Sequence, residues 1–196
     1  SYEILGGNEE GLFDIVEVDA LTWELRVGGG APNGEGGVFA LNSERRSFYE
    51  LEILVMDNSS LHLSGVGFVS VNISDVNDAP VVLSNNSFSF VEHTPIGDVV
   101  FAVVATDEDG DTLSYEITDG ADPSVSGTPA FVINNATGVI RVNADLDFEP
   151  GPRQYDLVVT ITDDNHLGKQ PGSVSSSSAL TVVVLDVQDQ PKAHNQ

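Results

Sequence analysis

Apolar and polar residues alternate along two long stretches of the chain. Tyr49, Leu51, Ile53 and Val55 are interleaved with Glu50, Glu52 and Leu54, and Tyr155, Leu157, Val159 and Ile161 with Asp156, Val158 and Thr160. A period of two puts such residues on one side of an extended backbone, so each stretch predicts a strand with one core face. Val69, Val71 and Ile73 share a face in the same way and leave Ser70 and Asn72 on the other. Further strands are expected at Phe88–Val91, Val99–Ala105 and Thr181–Val184. Turn-forming clusters separate them: Gly6-Gly7-Asn8, Asp119-Gly120, Asn134-Asn135-Ala136-Thr137-Gly138 and Pro150-Gly151-Pro152. Ser175–Ser178 reads as a polar loop or the start of a strand. No sustained helical pattern occurs, and the 19 Gly and 9 Pro agree with an all-β chain rich in turns.

The pattern also repeats. Tyr2-Glu3-Ile4 returns as Tyr115-Glu116-Ile117, Phe13-Asp14-Ile15 as Phe131-Val132-Ile133, and Tyr49-Glu50-Leu51 as Tyr155-Asp156-Leu157. Asp75-Val76-Asn77-Asp78-Ala79-Pro80 returns as Asp186-Val187-Gln188-Asp189-Gln190-Pro191. The order is kept and the spacing is about 110 residues, close to the size of a β-sandwich domain. The expected organisation is two tandem Greek-key β-sandwiches, 1–80 and 81–190, with 191–196 beginning a following linker. Tyr2-Glu3-Ile4 matches the third strand of the second repeat, so the first repeat is expected to lack its two N-terminal strands. Such a sandwich leaves a sheet edge unpaired.

Charge sharpens the picture. The 196 residues carry 31 acidic and 7 basic side chains, a net charge of −24. A phosphate backbone would be repelled, which argues against a nucleic-acid partner. There is no cysteine, and the longest apolar runs are of strand length, short of a membrane-spanning helix. Asn58, Asn72, Asn85 and Asn135 each head an acceptor sequence for N-linked glycans.

The acids gather where strands begin and end. Asp107-Glu108-Asp109 follows one strand, Asp163 ends another, Glu92 follows Val91, and Glu44 precedes the strand at Phe48. Asp147 and Glu149 precede the strand at Tyr155, and Asp75, Asn77 and Asp78 lie between the repeats. Hard oxygen donors collected in this way suit calcium, which takes six to eight of them. An EF-hand loop beginning at Asp107 fails, because its sixth and twelfth positions hold Thr112 and Thr118. Asp147 and Glu149 could be a glycosidase pair by spacing alone, but that role leaves the other acids unexplained. His62, His93, His166 and His194 have no metal-ligand spacing, and Trp23 reads as a packing residue.

Five motifs resemble those of the cadherin family. Asp75-Val76-Asn77-Asp78-Ala79-Pro80 is similar to the family's Asp-x-Asn-Asp-Asn-Pro linker. Asp107-Glu108-Asp109 is similar to its Asp-x-Asp motif, and Leu146-Asp147-Phe148-Glu149 to Leu-Asp-Arg-Glu. Glu92 and Asp163 stand at the single-glutamate and single-aspartate positions. The resemblance implies calcium at the junction of the repeats. Its ligands would be Glu44 from the first repeat, Asp75, Asn77 and Asp78 with the carbonyls of Val76 and Ala79 from the linker, and Asp107, Asp109 and Asp163 from the second. A loop carbonyl near Gly110 or Asp111 would add to them. Glu92, Asp147, Glu149, Asp186 and Asp189 would form the upstream half of a second junction, with Gln188 and Gln190 in place of Asn. Asp57 would serve a junction upstream. Asn42 stands where the family has an acid, and the first repeat shows no single-glutamate motif. The calcium position built mainly from linker and second repeat is therefore expected to be the most intact. The implied function is mechanical: calcium stiffens extracellular repeats of a cell-surface adhesion protein, anchored in the membrane outside this segment, whose partners are other cadherin-type molecules, like or unlike. No enzymatic role is expected. Spacer repeats of a large surface protein, or an accessory or carbohydrate-binding module of a secreted enzyme, remain as other readings.

Overall fold

A computed structural model of the chain describes residues 1–19, 22–28, 41–121 and 128–188. The chain divides into two compact units, Ser1–Val76 and Asn77–Gln196. The described residues contain strands and turns and no helix.

In the first unit the strands are β1 (Tyr2–Gly6), β2 (Phe13–Glu17), β3 (Trp23–Val27), β4 (Phe48–Met56) and β5 (Ser64–Asn72). One antiparallel sheet runs β1-β4-β5, and β2 and β3 pair as a separate antiparallel ribbon. The inward positions of β4, Tyr49 and Leu51, are buried with Leu12 and Phe13, and Ile4, Leu41, Ile53, Val71 and Ile73 pack around them. Phe13 meets Tyr49 edge-on, at 5.0 Å between ring centroids. Trp23 lies against Tyr2 at 5.1 Å, a packing role. β5 is largely exposed, and Phe68 keeps 66% of its surface in solvent. Among the described residues of this unit no strand pairs with the far edge of β5.

The second unit contains β6 (Val81–Val82), β7 (Ser87–Val91), β8 (Val99–Ala102), β9 (Ala105–Thr106), β10 (Leu113–Asp119), β11 (Phe131–Ile133), β12 (Val139–Val142), β13 (Gln154–Asp163) and β14 (Ser175–Leu185). One sheet has the order β10-β13-β14-β7, with β7 parallel to β14 and the rest antiparallel. A second sheet runs β11-β12-β8, and β6 pairs with β9. The buried core joins Ile140 and Val142 of the second sheet to Leu157, Val159, Ile161, Val182 and Val184 of the first. Phe131 sits between Phe90 and Tyr155, edge-on to both. The result is a β-sandwich whose β13 alternates with hardly a break.

The run Val99–Ala105, expected as one strand, is two. β8 pairs with β12, whereas β9 pairs with β6. Between them Val103 is buried and donates its N–H to Gly138 O, while the carbonyl of exposed Val104 accepts from Leu83. An unbroken apolar run carries no mark of that change of partner. Ser175–Ser178 opens β14.

One detail shows the repeat at the level of backbone geometry. The β1–β4 register shifts between Ile4 and Gly6, and the β10–β13 register shifts between Ile117 and Asp119. In each unit a glycine follows at φ 79°, Gly7 or Gly120. A Cβ there would lie 1.9 Å from Glu50 O or 1.8 Å from Asp156 O. Both irregularities therefore require glycine, for its left-handed backbone and for the close approach of the neighbouring strand.

Candidate metal centre

β13 explains the first ligand candidate. Tyr155, Leu157, Val159 and Ile161 face the core, and the same register carries Asp163 inward at the strand end, where it is 3% exposed. Period two thus places a carboxylate at the mouth of the sandwich. Asp163 Oδ2 accepts the N–H of Val174 at 2.9 Å and the Asn77 amide at 3.1 Å. Asn77 is buried too, and its Nδ2 also donates to Gly172 O at 3.0 Å. Two acceptors require NH₂ on that side, which orients the amide and turns Oδ1 the other way.

The loop after β9 supplies the rest. Asp107 Oδ1 accepts the N–H groups of Asp109 at 3.0 Å and Asp111 at 3.2 Å, curling the chain around its own carboxylate. Gly110 adopts φ 75° within that curl. Asp109 has a fully buried side chain. Its Oδ2 accepts the N–H of Asp78 at 2.7 Å, and its Oδ1 lies 2.5 Å from Lys169 Nζ. Asp111 has a side chain only 2% exposed, and its Oδ1 meets the ring and the N–H of His166.

Among the described residues, four buried side-chain oxygens are left with no hydrogen-bond partner: Asn77 Oδ1, Asp107 Oδ2, Asp111 Oδ2 and Asp163 Oδ1. Each is an acceptor, and three belong to carboxylates. An unsatisfied buried polar atom costs about 1–3 kcal/mol, more when charged. Asp107, Asp109 and Asp111 also offer carboxylate oxygens that all lie within 4.8 Å of one another. Two oxygens held at 2.3–2.6 Å from one calcium ion lie at most about 5 Å apart. The donor set is all oxygen, mostly anionic and short of positive charge, so it fits a hard divalent cation.

The sequence reading included Asn77, Asp107, Asp109 and Asp163, and the structure brings them to one end of the second unit. Asp111 entered that reading only through a nearby carbonyl. Its side chain is a fifth candidate donor, and Asp111 Oδ1 accepts the N–H of His166, 55 residues away. Lys169 was missed altogether. Asp78 reaches the site through its N–H, and Val76 and Ala79 are exposed.

In the first unit, Ser43 Oγ lies 2.6 Å from Glu44 Oε1 and 2.9 Å from Asp75 Oδ1. The hydroxyl brackets the two carboxylates but donates to one at a time. Asn42 Oδ1 accepts the N–H of Arg45 at 2.7 Å, so this departure from the acidic motif has a local structural use. Asp57 Oδ1 is taken by the N–H groups of Ser59 and Leu63.

A second acidic cluster lies within the second unit around Glu92, whose side chain is fully buried. Glu92 Oε1 accepts the N–H of Val187 and Oε2 that of Phe148, each at 2.7 Å. These bonds hold its carboxyl below the usual carboxylate range and tie together the two loops that carry the other acids. Glu92, Glu149 and Asp186 offer oxygens within 4.8 Å of one another, and so do Glu92 and Asp147 with the His93 ring. The hydrogen bond to Asp145 raises the His93 pKa. Asp189 lies outside the described residues.

A family model described as a cadherin domain matches residues 86–185. Protocadherin Fat 4 of Mus musculus is 33% identical over 196 residues, covering 97% of this chain and 3% of its own length. Cadherin EGF LAG seven-pass G-type receptor 3 of Homo sapiens is 35% identical over 194 residues, covering 96% of this chain and 5% of its own. The chain therefore spans a small fraction of these curated relatives. Among solved structures, human Protocadherin-24 EC1-2 is similar at a TM-score of 0.62 and 25% identity, over 95% of this chain and 82% of that one. Protocadherin Gamma B2 extracellular cadherin domains 1-5 gives 0.60 and 23%, over 96% of this chain and 33% of that one, a likeness of fold.

Proposed function

The chain belongs to the cadherin family, whose members are extracellular, non-enzymatic adhesion proteins of the cell surface, and we propose that its two units are calcium-binding repeats that stiffen such a protein in support of calcium-dependent adhesion. The observation that carries this reading is the set of four partnerless buried oxygens on Asn77, Asp107, Asp111 and Asp163. Bound calcium would supply the positive charge that neutralises the acids and satisfies those oxygens.

The chain's own residues do the positioning. β13 delivers Asp163, the Asp163–Asn77 hydrogen bond orients Asn77 Oδ1, and the curl around Asp107 aligns Asp109 and Asp111. By the family likeness, Glu44, Asp75 and the carbonyls of Val76 and Ala79 would be further calcium donors. The segment Asp75–Ala79 carries the chain from one unit to the next, and ligands at its two ends would restrain its backbone. Short connections between domains otherwise bend. Glu92, Asp147, Glu149, Asp186 and Asp189 would act in the same way for a following repeat. By the same family likeness, the adhesion partners are other cadherin-type molecules.

Calcium titration followed by small-angle scattering and limited proteolysis tests this. Millimolar calcium should lengthen and stiffen the particle and protect the 75–79 segment from cleavage. No change in either property would refute the mechanical role.

A further inference from the structure

The loop between β13 and β14 carries an unexpected occupant into the acid cluster. Its backbone is fixed at Lys169 from both sides: Asn165 Nδ2 donates to Lys169 O, and Lys169 N–H donates to Asn165 Oδ1, each at 2.8 Å. Asn165 itself is held at φ 44°, and Gly168, at φ 65°, donates its N–H to Asn165 O. Gln170 O accepts the N–H of Asn77 at 2.8 Å, tying the same loop to the candidate ligand. The Lys169 side chain, 12% exposed, runs inward and places Nζ 2.5 Å from Asp109 Oδ1.

Asp109 is thereby unlike its neighbours. Asn77, Asp107, Asp111 and Asp163 each present one partnerless oxygen, whereas both oxygens of Asp109 are engaged, one by the Asp78 N–H and one by Lys169. A carboxylate oxygen capped by an ammonium group is a poor ligand until that group leaves. The chain has 7 basic residues against 31 acidic ones, so a lysine buried among carboxylates is conspicuous.

The geometry points to Lys169 as a tethered counter-ion that competes with the divalent cation for Asp109, lowering the affinity of the site and moving into solvent when the cation binds. This rests on the calcium-binding reading above. When a site is competent only while a competing arrangement is open, apparent affinity falls by the open fraction, so a lysine in place nine-tenths of the time weakens binding about tenfold.

Two measurements on the full chain test it. The first is amine acetylation of Lys169, read by peptide mass spectrometry at fixed pH in EDTA and in saturating calcium, and normalised to Lys192. The second is calorimetric calcium titration of the wild type and of Lys169→Met, which keeps length and removes charge. The inference expects Lys169 to react slowly in EDTA and several-fold faster with calcium, and K169M to bind calcium about tenfold more tightly. Unchanged reactivity in a wild type that binds calcium, or equal or weaker binding by K169M, would overturn the inference and leave the calcium site standing. Binding by K169M but not by the wild type would support it. No binding by either would refute the calcium-binding reading itself. Should K169M fail to fold, the acetylation arm decides on the wild-type chain alone.

Discussion

Replacing Asp111 by Asn should stabilise the calcium-free chain and blunt its response to calcium. The Asp111 side chain is buried, and carboxylate oxygens of Asp107, Asp109 and Asp111 lie within 4.8 Å of one another. At an effective dielectric constant of about 20, two like charges at that distance repel by about 3–4 kcal/mol. Asp111 takes part in two such pairs, partly offset by Lys169 at Asp109 and by His166 at Asp111. Asn keeps the shape, and its oxygen can still accept the His166 N–H. In EDTA, D111N should therefore be more stable than wild type, by about 1–3 kcal/mol once those offsets are subtracted. Calcium narrows that difference. With dissociation constants of about 10⁻⁴ to 10⁻³ M, typical of extracellular modules, 5 mM calcium stabilises the wild type by RT ln(1 + [L]/Kd), about 1–2.3 kcal/mol. At about 4 °C per kcal/mol for a domain near 100 residues, the wild-type midpoint rises by about 4–9 °C. D111N, short of one anionic donor, should gain less than about 2 °C. Scanning calorimetry of both proteins in EDTA and in 5 mM calcium measures this, and the transition lowered by Leu157→Ala identifies the second unit. If D111N kept the full calcium increment, Asp111 would not be a ligand. If D111N were strongly destabilised in EDTA, the His166 contact would outweigh the repulsion and the argument from like charges would fail.

Other substitutions separate scaffold from site. Asp163→Asn should abolish most of the calcium-induced rise in midpoint, because Oδ2 must remain an acceptor for Val174 and Asn77 and the new NH₂ then takes the place of Oδ1; calorimetric titration checks it, and wild-type affinity would refute it. Glu92→Ala should destabilise the second unit even in EDTA, since the N–H groups of Phe148 and Val187 lose their acceptor; urea unfolding in EDTA measures it, and an unchanged midpoint would refute it. Leu157→Ala removes a fully buried core side chain and should cost about 2–5 kcal/mol irrespective of calcium, again by urea unfolding. Gly120→Ala should be at least as harmful as its partner change Gly7→Ala, because each Cβ meets a carbonyl oxygen at under 2 Å; equal midpoints for wild type and either variant would refute the bulge geometry.

The strands that carry the ligands were legible in the sequence because their signal is local. Tyr155 to Ile161 alternate without a break, and extending that alternation by one step places Asp163 on the core face. The matching of Tyr2-Glu3-Ile4 to Tyr115-Glu116-Ile117 extends to the bulges and glycines that follow, Gly7 and Gly120, which the sequence marked only as turn residues, with no sign of the close strand approach that requires glycine there. What the sequence concealed depends on distant partners. Asp111 ends a run of loop acids, and nothing local distinguishes a solvated carboxylate from one buried against His166. Lys169 lies 60 residues from Asp109, in a loop whose path is set by Asn165 and Gly168. The split of Val99–Ala105 into two strands likewise depends on where β6 and β12 pass.

Crystals of the chain grown in calcium, measured at a wavelength where calcium scatters anomalously, interrogate the partnerless oxygens directly. The account predicts anomalous peaks such that Asn77 Oδ1 and a carboxylate oxygen of each of Asp107, Asp111 and Asp163 lie 2.3–2.6 Å from a calcium position. Density for those side chains with water, a lysine amine or nothing but neighbouring protein around them, at calcium concentrations well above a millimolar, would contradict it.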